Sequence, residues 1–538
     1  MPIFELNSAL FMPISQSDHL FDLVNSLTKA EKRNFKLYAN RLNKEGDTKF
    51  ITLFDILDKQ KEYNEEAVMH KMPEMNKTQF SNLRRHLYSQ ILTSLRLIYI
   101  SKNIDIQIRE QVDFARILYE KGLYMQSLKL LERTKQWAIE THQDFLLIDI
   151  LEFQKLIESR HITRSRKVKN KMENLIDESS KHNELSLNVS NLANLCLKIH
   201  GWYIQYGHIR NDKDRITVSE YFHSGLKEIK TDQLTFFEEV YLNQSYVWYH
   251  YILLDFISCY QYAANWVDCF EREPDMMDKD PDLYMRGLHY QLTSLFNLKC
   301  YVELKEAIGR FERFYAKYAE GFNRTSEIIF FLYYYSAKLN QHFIEGNFEE
   351  GIVLVDEVNK KLSDLEHHLD PHRIMVFYYK IAWMYFGAKK YSKSLDYLNK
   401  IIYLDLGHLR EDIQSYARLL SLLVHYELKN FQLLEYQIQS VMRFMSKMED
   451  LNTMQKEILN FLSRILFKDN LTVNNEMIRF RKKLEKQVHH QAETKSFVYL
   501  DVLAWLDSKI QKVDLSVIVR ENFKKISAIS IKTLEKAR

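Results

Sequence analysis

The chain is poor in the residues that punctuate a fold. Only 12 glycines and 6 prolines occur in 538 residues, against an ordinary usage of about 7% and 5%. So few turn-formers exclude many tight hairpins, and with them a sheet-rich fold. The four cysteines, at 196, 259, 269 and 300, show no CxxC spacing. In apolar helical surroundings they read as buried free thiols of a reducing compartment rather than a disulfide framework. Charge of one sign is also lacking. With 75 Lys and Arg against 72 Asp and Glu the net charge is +3, which offers no global field to nucleic acid or an anionic membrane. No apolar run reaches the roughly 20 residues that span a bilayer. No basic residue precedes the short apolar stretch of the N-terminal MPIFELNSALFMPIS, so no secretory signal is expected and the protein reads as cytoplasmic, without a membrane partner. GxxxxGKS/T, GxGxxG and GxSxG motifs are absent. With so little glycine, phosphate-cradling loops and nucleophile elbows have few places to form, so neither enzymatic activity nor a cofactor is expected.

What is present is a long, aromatic, helix-forming chain. Hydrophobic residues make up 46% and charged residues 27%, which excludes wholesale disorder, and 33 Tyr and 32 Phe imply bulky packing surfaces. At this length one core is not expected; an elongated array adding small cores end to end suits the composition. Apolar residues recur at i, i+3, i+4 and i+7 over 109–123, 125–140, 145–158, 376–386 and 392–403. The prolines, at 2, 13, 73, 274, 281 and 371, fall at connections between such stretches.

Three segments repeat one pattern. In Gly122-Leu-Tyr124-Met-Gln-Ser127, Gly346-Asn-Phe348-Glu-Glu-Gly351 and Lys389-Lys-Tyr391-Ser-Lys-Ser394, an aromatic between two helical stretches is followed three residues later by a small residue. Weaker copies place Phe256 before Cys259, Tyr301 before Leu304 and Phe431 before Leu434. From 256 onward the aromatics are 45, 47, 43 and 40 residues apart, and the gap between 124 and 256 leaves room for two degenerate units near 168 and 212. Two antiparallel helices pack closely where one gives up side-chain bulk, and the aromatic fills the space between hairpins. Over about 105–470 this resembles the tetratricopeptide (TPR) repeat, although these repeats are longer and lack the proline that closes a TPR. The resemblance implies an all-α, right-handed superhelical solenoid. Residues 1–16 then form a tail, 17–104 a helical N-terminal domain, 105–470 the repeats, and 471–538 a C-terminal helical cap that includes an amphipathic helix around Trp505.

Carried over from the TPR pattern, the first helix of each hairpin lines a concave groove. It would present Tyr241, Gln244, Trp248 and Tyr251, then Arg286, His289 and Phe296, then Asn340 and Phe343, then Tyr379, Trp383 and Phe386. Such a strip suits an extended protein or peptide segment, with rings supplying area and polar groups setting direction. The competing reading is that the rings merely pack one hairpin on the next.

A second candidate lies near the N-terminus. A short helix at 65–72, a Met-Pro-Glu-Met turn and a longer helix capped by Asn76 resemble a helix-turn-helix, leaving Thr78, Gln79, Asn82 and Arg85 to face nucleic acid. The turn lacks the usual Gly, and 17–100 carries 14 basic and 11 acidic residues, far from a DNA-binding excess. A plain helical cap competes with it. The run 160–171 holds six cations in twelve residues but no interleaved aromatics, and reads as a solvated face. His367, His368 and His372 flank Pro371, which interrupts any common helical face, so no metal site is expected.

Overall fold

The periodicity of the sequence becomes helix across the described residues. In the computed structural model the described residues are 16–42, 49–100, 103–165, 171–209, 211–227, 229–230, 234–365, 369–404, 411–446, 453–487 and 500–526. They form 25 α-helices, one short 3-10 turn and no strand. Two compact units divide the chain, Met1–Asn183 and Glu184–Arg538.

The first unit holds α1 (Gln16–Ser26), α2 (Lys29–Leu42), α3 (Lys49–Asp58), α4 (Glu65–His70) and α5 (Lys77–Tyr99), followed by α6 (Ile104–Glu120), α7 (Tyr124–Glu140) and α8 (Asp144–Ser165). Helices α1 to α5 share a core built on Phe35, Phe54, Leu57, Leu87 and Ile91. Helices α6 to α8 share another, built on Ile108, Leu131, Ile150 and Ile157.

The second unit follows from α9 (Lys171–Tyr206), in which the division falls, and α10 (Asp212–Leu226). The sequence pattern left room for a repeat near 212, but α10 opens there on Asp212 with no aromatic; position 168 lies outside the described residues. Hairpins then succeed one another: α11 (Phe236–Ile252) with α12 (Phe256–Arg272), and, after the short α13 (Asp275–Lys279), α14 (Pro281–Asn297) with α15 (Tyr301–Tyr318). Next come α16 (Arg324–Glu345) with α17 (Phe348–Leu365), α18 (Pro371–Gly387) with α19 (Tyr391–Ile402), and α20 (Glu411–Glu427) with α21 (Phe431–Ser446). The chain ends in α22 (Thr453–Ile465), α23 (Asn470–Gln487), α24 (Val502–Gln511) and α25 (Leu515–Ile526). Pro281 and Pro371 each open a helix, where the missing N–H costs nothing.

One turn geometry recurs. The six aromatics of the sequence pattern, Tyr124, Phe256, Tyr301, Phe348, Tyr391 and Phe431, are each the first residue of a hairpin's second helix. Two residues before each, the backbone is left-handed: Gly122, Leu254, Lys299, Gly346, Lys389 and Lys429 have φ between 58° and 75°. The residue between them donates its N–H five residues back, as in Lys390 to the Tyr385 carbonyl at 2.8 Å and Asn430 to that of His425 at 3.0 Å. This closes the first helix with a Schellman turn and leaves the aromatic placed to start the next.

The small-residue slots pack in two ways. Ser127 Oγ donates to the Ala115 carbonyl at 2.7 Å, and Ser394 Oγ to the Ala382 carbonyl at 2.8 Å, so the same bond locks two hairpins. Gly351 and Gly387 instead allow close approach between neighbouring helices, because a Cβ there would meet Met384 Sδ or the Phe348 ring at 2.3 Å. One contiguous core runs through the unit from Leu192 to Ile518.

The C-terminal helices lie along the hairpin turns. Trp505 Nε1 donates to Glu427 at 2.7 Å and Lys509 pairs with the same carboxylate at 2.6 Å. Asp514 then pairs with Lys389, Ser516 and Arg520 border Gly346, and Phe523 meets the Tyr301 ring edge-on at 4.7 Å. Successive residues of this strap thus meet the turns of four hairpins in reverse chain order. The amphipathic helix expected around Trp505 is α24, with Trp505 fully buried.

Candidate functional site

The first helices of four consecutive hairpins, together with α9 and the strap, surround one cavity of about 770 Å³ in the second unit. Helix α11 contributes Tyr241, Gln244, Trp248 and Tyr251, α14 contributes Arg286, His289 and Phe296, α16 contributes Asn340 and Phe343, and α18 contributes Tyr379 and Trp383. Their three- and four-residue spacing keeps each set on one helical face. Phe386 is not among the lining residues. It is buried, stacked on Trp383 at 5.2 Å and packed against Tyr391 at 5.7 Å.

Both readings of the aromatic strip therefore describe some of its members. Tyr119, Tyr251 and Tyr426 pack on Tyr124, Phe256 and Phe431 at 5.3, 6.1 and 6.0 Å, as Phe386 packs on Tyr391. Tyr251 does this and also faces the cavity.

Two rings inside the cavity carry basic groups. His289 stacks on Tyr333 at 4.1 Å, and the Arg373 guanidinium lies 5.9 Å from the same ring. The Lys299 and Lys380 ammoniums lie 4.7 and 5.9 Å from the centre of Phe296. Lys380 donates to Asn340 Oδ1. Burial lowers the Lys380 ammonium to about 7 and lowers Lys299 as well. Lys299 is an exposed residue of the cavity lining. Burial, then Arg373 and Lys380, pushes His289 down to about 3, so its ring is neutral and acts as a stacking group. His200, tilted against Trp248 at 4.3 Å, is lowered by burial and by Arg373 and Arg286.

Sequence reasoning missed Lys299, Arg373, Lys380, His200 and the strap residues Val519, Asn522 and Phe523. Arg373, Lys380 and Trp383 sit at i, i+7 and i+10 on α18, so the helical period alone could have found the two cations. Nothing local announces that a helix more than 100 residues away in sequence supplies a wall.

The N-terminal candidates stand apart from this cavity. Thr78, Gln79, Asn82 and Arg85 are all exposed on α5. Gln79 Oε1 accepts from the Asn76 N–H at 3.1 Å and completes a capping box, and Arg85 leans on Asn82 at 3.4 Å. Helix α5 runs 23 residues and buries Phe80, Leu87 and Ile91 in the N-terminal core. Of the basic run, Arg160 donates to the Tyr119 hydroxyl at 2.9 Å and Lys171 pairs with Glu158; residues 166–170 lie outside the described residues, as do His367 and His368.

All four cysteines are free and buried. Burial pushes Cys196, Cys259 and Cys269 up to about 12 and Cys300 up to about 11, which holds them as inert thiols. Among the described residues no His, Cys, Asp and Glu side chains gather as a metal site, and no helix is long and apolar enough to cross a membrane. Comparison with known proteins finds no match to this chain, whether with protein-family models, curated sequences or solved structures.

Proposed function

We propose that the chain is a non-catalytic, cytoplasmic interaction protein whose second unit, a TPR-like superhelical solenoid, captures a protein or peptide segment in this cavity. The observation that carries the reading is the convergence of four consecutive first helices on one open, ring-lined space. Rings such as Trp248 and Trp383 offer apolar area at low entropic cost, while Gln244, Arg286 and Asn340 are spaced to fix the direction of a bound backbone. A tagged pull-down comparing wild type with a Trp248→Ala/Trp383→Ala double variant tests it. A partner retained by the first and lost by a folded second supports capture in the cavity. Equal retention contradicts it.

A second reading makes the chain a transcriptional or signalling regulator that meets DNA through α5. It rests on the exposure of Thr78, Asn82 and Arg85 beyond a capped helix start. It predicts duplex binding that falls steeply with salt and is lost in Arg85→Ala.

A further inference from the structure

Charge inside the cavity is unbalanced. Arg286, Lys299, Arg373 and Lys380 all reach its lining, and Asp501 is the carboxylate among the lining residues. Among the described residues none of these four cations forms an ion pair; their recorded contacts are the rings of Phe296 and Tyr333 and the amide of Asn340. Elsewhere in the same unit cations meet carboxylates, as in Arg272 with Glu239 at 2.6 Å, Lys509 with Glu427 at 2.6 Å, and Arg481 with Asp507. Outside the lining, Asp280 caps the start of α14, accepting from the Leu283 N–H at 3.0 Å, and its charge also acts on Arg286, which leaves Lys299, Arg373 and Lys380 with Asp501 alone among the lining carboxylates.

Gathering like charges on one cavity lining costs mutual repulsion, and the partial burial of Arg373 and Lys380 adds desolvation; an anion relieves both. The remaining walls are aromatic, which a bare inorganic ion would leave unfilled. The volume lies within the roughly 300–1,000 Å³ of small-molecule sites, and the strap residues Val519, Asn522 and Phe523 cover one side.

We propose that the cation-lined end of this cavity holds the anionic group of a small amphipathic molecule, whose apolar body lies along the aromatic strip and competes there with the partner segment. The regulatory half rests on the capture reading above; the binding half does not. Arg373 and Lys380, both on α18 and flanking Tyr379, contact the anionic group. Lys299 reaches it from the α14–α15 turn, and Phe296 and Tyr333 form the floor. The Lys380 ammonium bonds Asn340 on α16, shares the Phe296 ring with Lys299 and acts on His289 of α14; burial lowers it, and an anion arriving beside it favours its protonated form.

The matched probes 8-anilino-1-naphthalenesulfonate and N-phenyl-1-naphthylamine differ by the sulfonate. Titrated into the full chain by fluorescence and calorimetry, the sulfonate should bind one site at least roughly tenfold more tightly than the neutral amine. An Arg373→Gln/Lys380→Met variant, checked as folded by near-ultraviolet circular dichroism, should lose most of that preference while its affinity for the amine stays unchanged. Lys299→Gln serves as a second variant should the first not fold. Equal affinity for the two probes, many weak sites, or a preference that survives in the folded variants overturns the proposal. The regulatory half is scored on a partner held by wild type in the pull-down. Its release by saturating sulfonate supports competition, and retention overturns competition while leaving capture intact. A single cation-dependent sulfonate site with no partner captured leaves the anion site standing and overturns the capture reading together with competition.

Discussion

Lys380 donates from α18 to the Asn340 side chain on α16 and has no ion pair among the described residues. An ammonium in that position is held against the cost of its own desolvation, which lowers it to about 7. A residue that costs stability at an open cavity is one expected to serve binding.

The sign of its pH dependence follows from linkage. Folded Lys380 titrates near 7 and the unfolded side chain near 10.5, so between those values the unfolded chain binds more protons and wild-type stability rises with pH. Lys380→Met removes the penalty but leaves the Asn340 oxygen without its donor. The variant should therefore exceed wild type by about 2 kcal/mol near pH 6. That advantage should shrink steadily between pH 7 and 10. Urea unfolding at four pH values checks it; a pH-independent difference would contradict the assignment.

Glycine spacing predicts effects of opposite sign. Gly387→Ala drives a methyl against the rigid Phe348 ring, with a closest approach of 2.3 Å, and should cost about 1–3 kcal/mol. Gly201→Ala, on α9 with nothing within 4 Å, should stabilise by about 0.5–1 kcal/mol through helix propensity. Denaturation midpoints of the two variants, measured side by side, test the packing account of the hairpin slots.

The repeated turn makes a third prediction. Lys429 is exposed and left-handed with φ 58°. Lys429→Gly should gain about 1 kcal/mol, and Lys429→Val should lose a similar amount. Thermal shifts of the same sign in both variants would show that the left-handed turn is not the cause.

The strap depends on one carboxylate. Glu427 accepts from Trp505 Nε1 and Lys509, and also from the Tyr391 hydroxyl at 3.3 Å. Glu427→Gln should weaken the strap by about 2 kcal/mol, and amide exchange over residues 502–526 should accelerate about tenfold or more while α11 to α14 stay protected. Unchanged exchange in the strap would assign its anchoring to apolar contacts such as Phe523 on Tyr301.

Much of the helical organisation was legible because it is local. A period of 3.6, an aromatic and a small residue three apart mark each hairpin, and all six aromatics do open second helices. The left-handed residue before each was hidden, since Lys, Leu and Gly all occupy it and only backbone geometry unites them. Most of the cavity's aromatic strip was readable from α11, α14, α16 and α18. Phe386 was placed there because its slot matches Tyr251 and Phe343, yet packing against Tyr391 turns it into the core. The cations were overlooked because an exposed lysine and a cavity lysine look alike in sequence; what distinguishes them is that four cations face the lining against the single carboxylate Asp501. The wall formed by α25 comes from long-range docking that no periodicity encodes.

The central claim is that the cavity is where a partner sits, and site-specific photo-cross-linking tests it most directly. A photoreactive phenylalanine analogue replaces Tyr241, which lines the cavity, or Tyr436, which is 64% exposed on α21. Illumination in cells followed by peptide mapping should join a partner segment to position 241 and none to 436. Cross-links confined to 436, or none at 241 in a folded chain, would contradict the account.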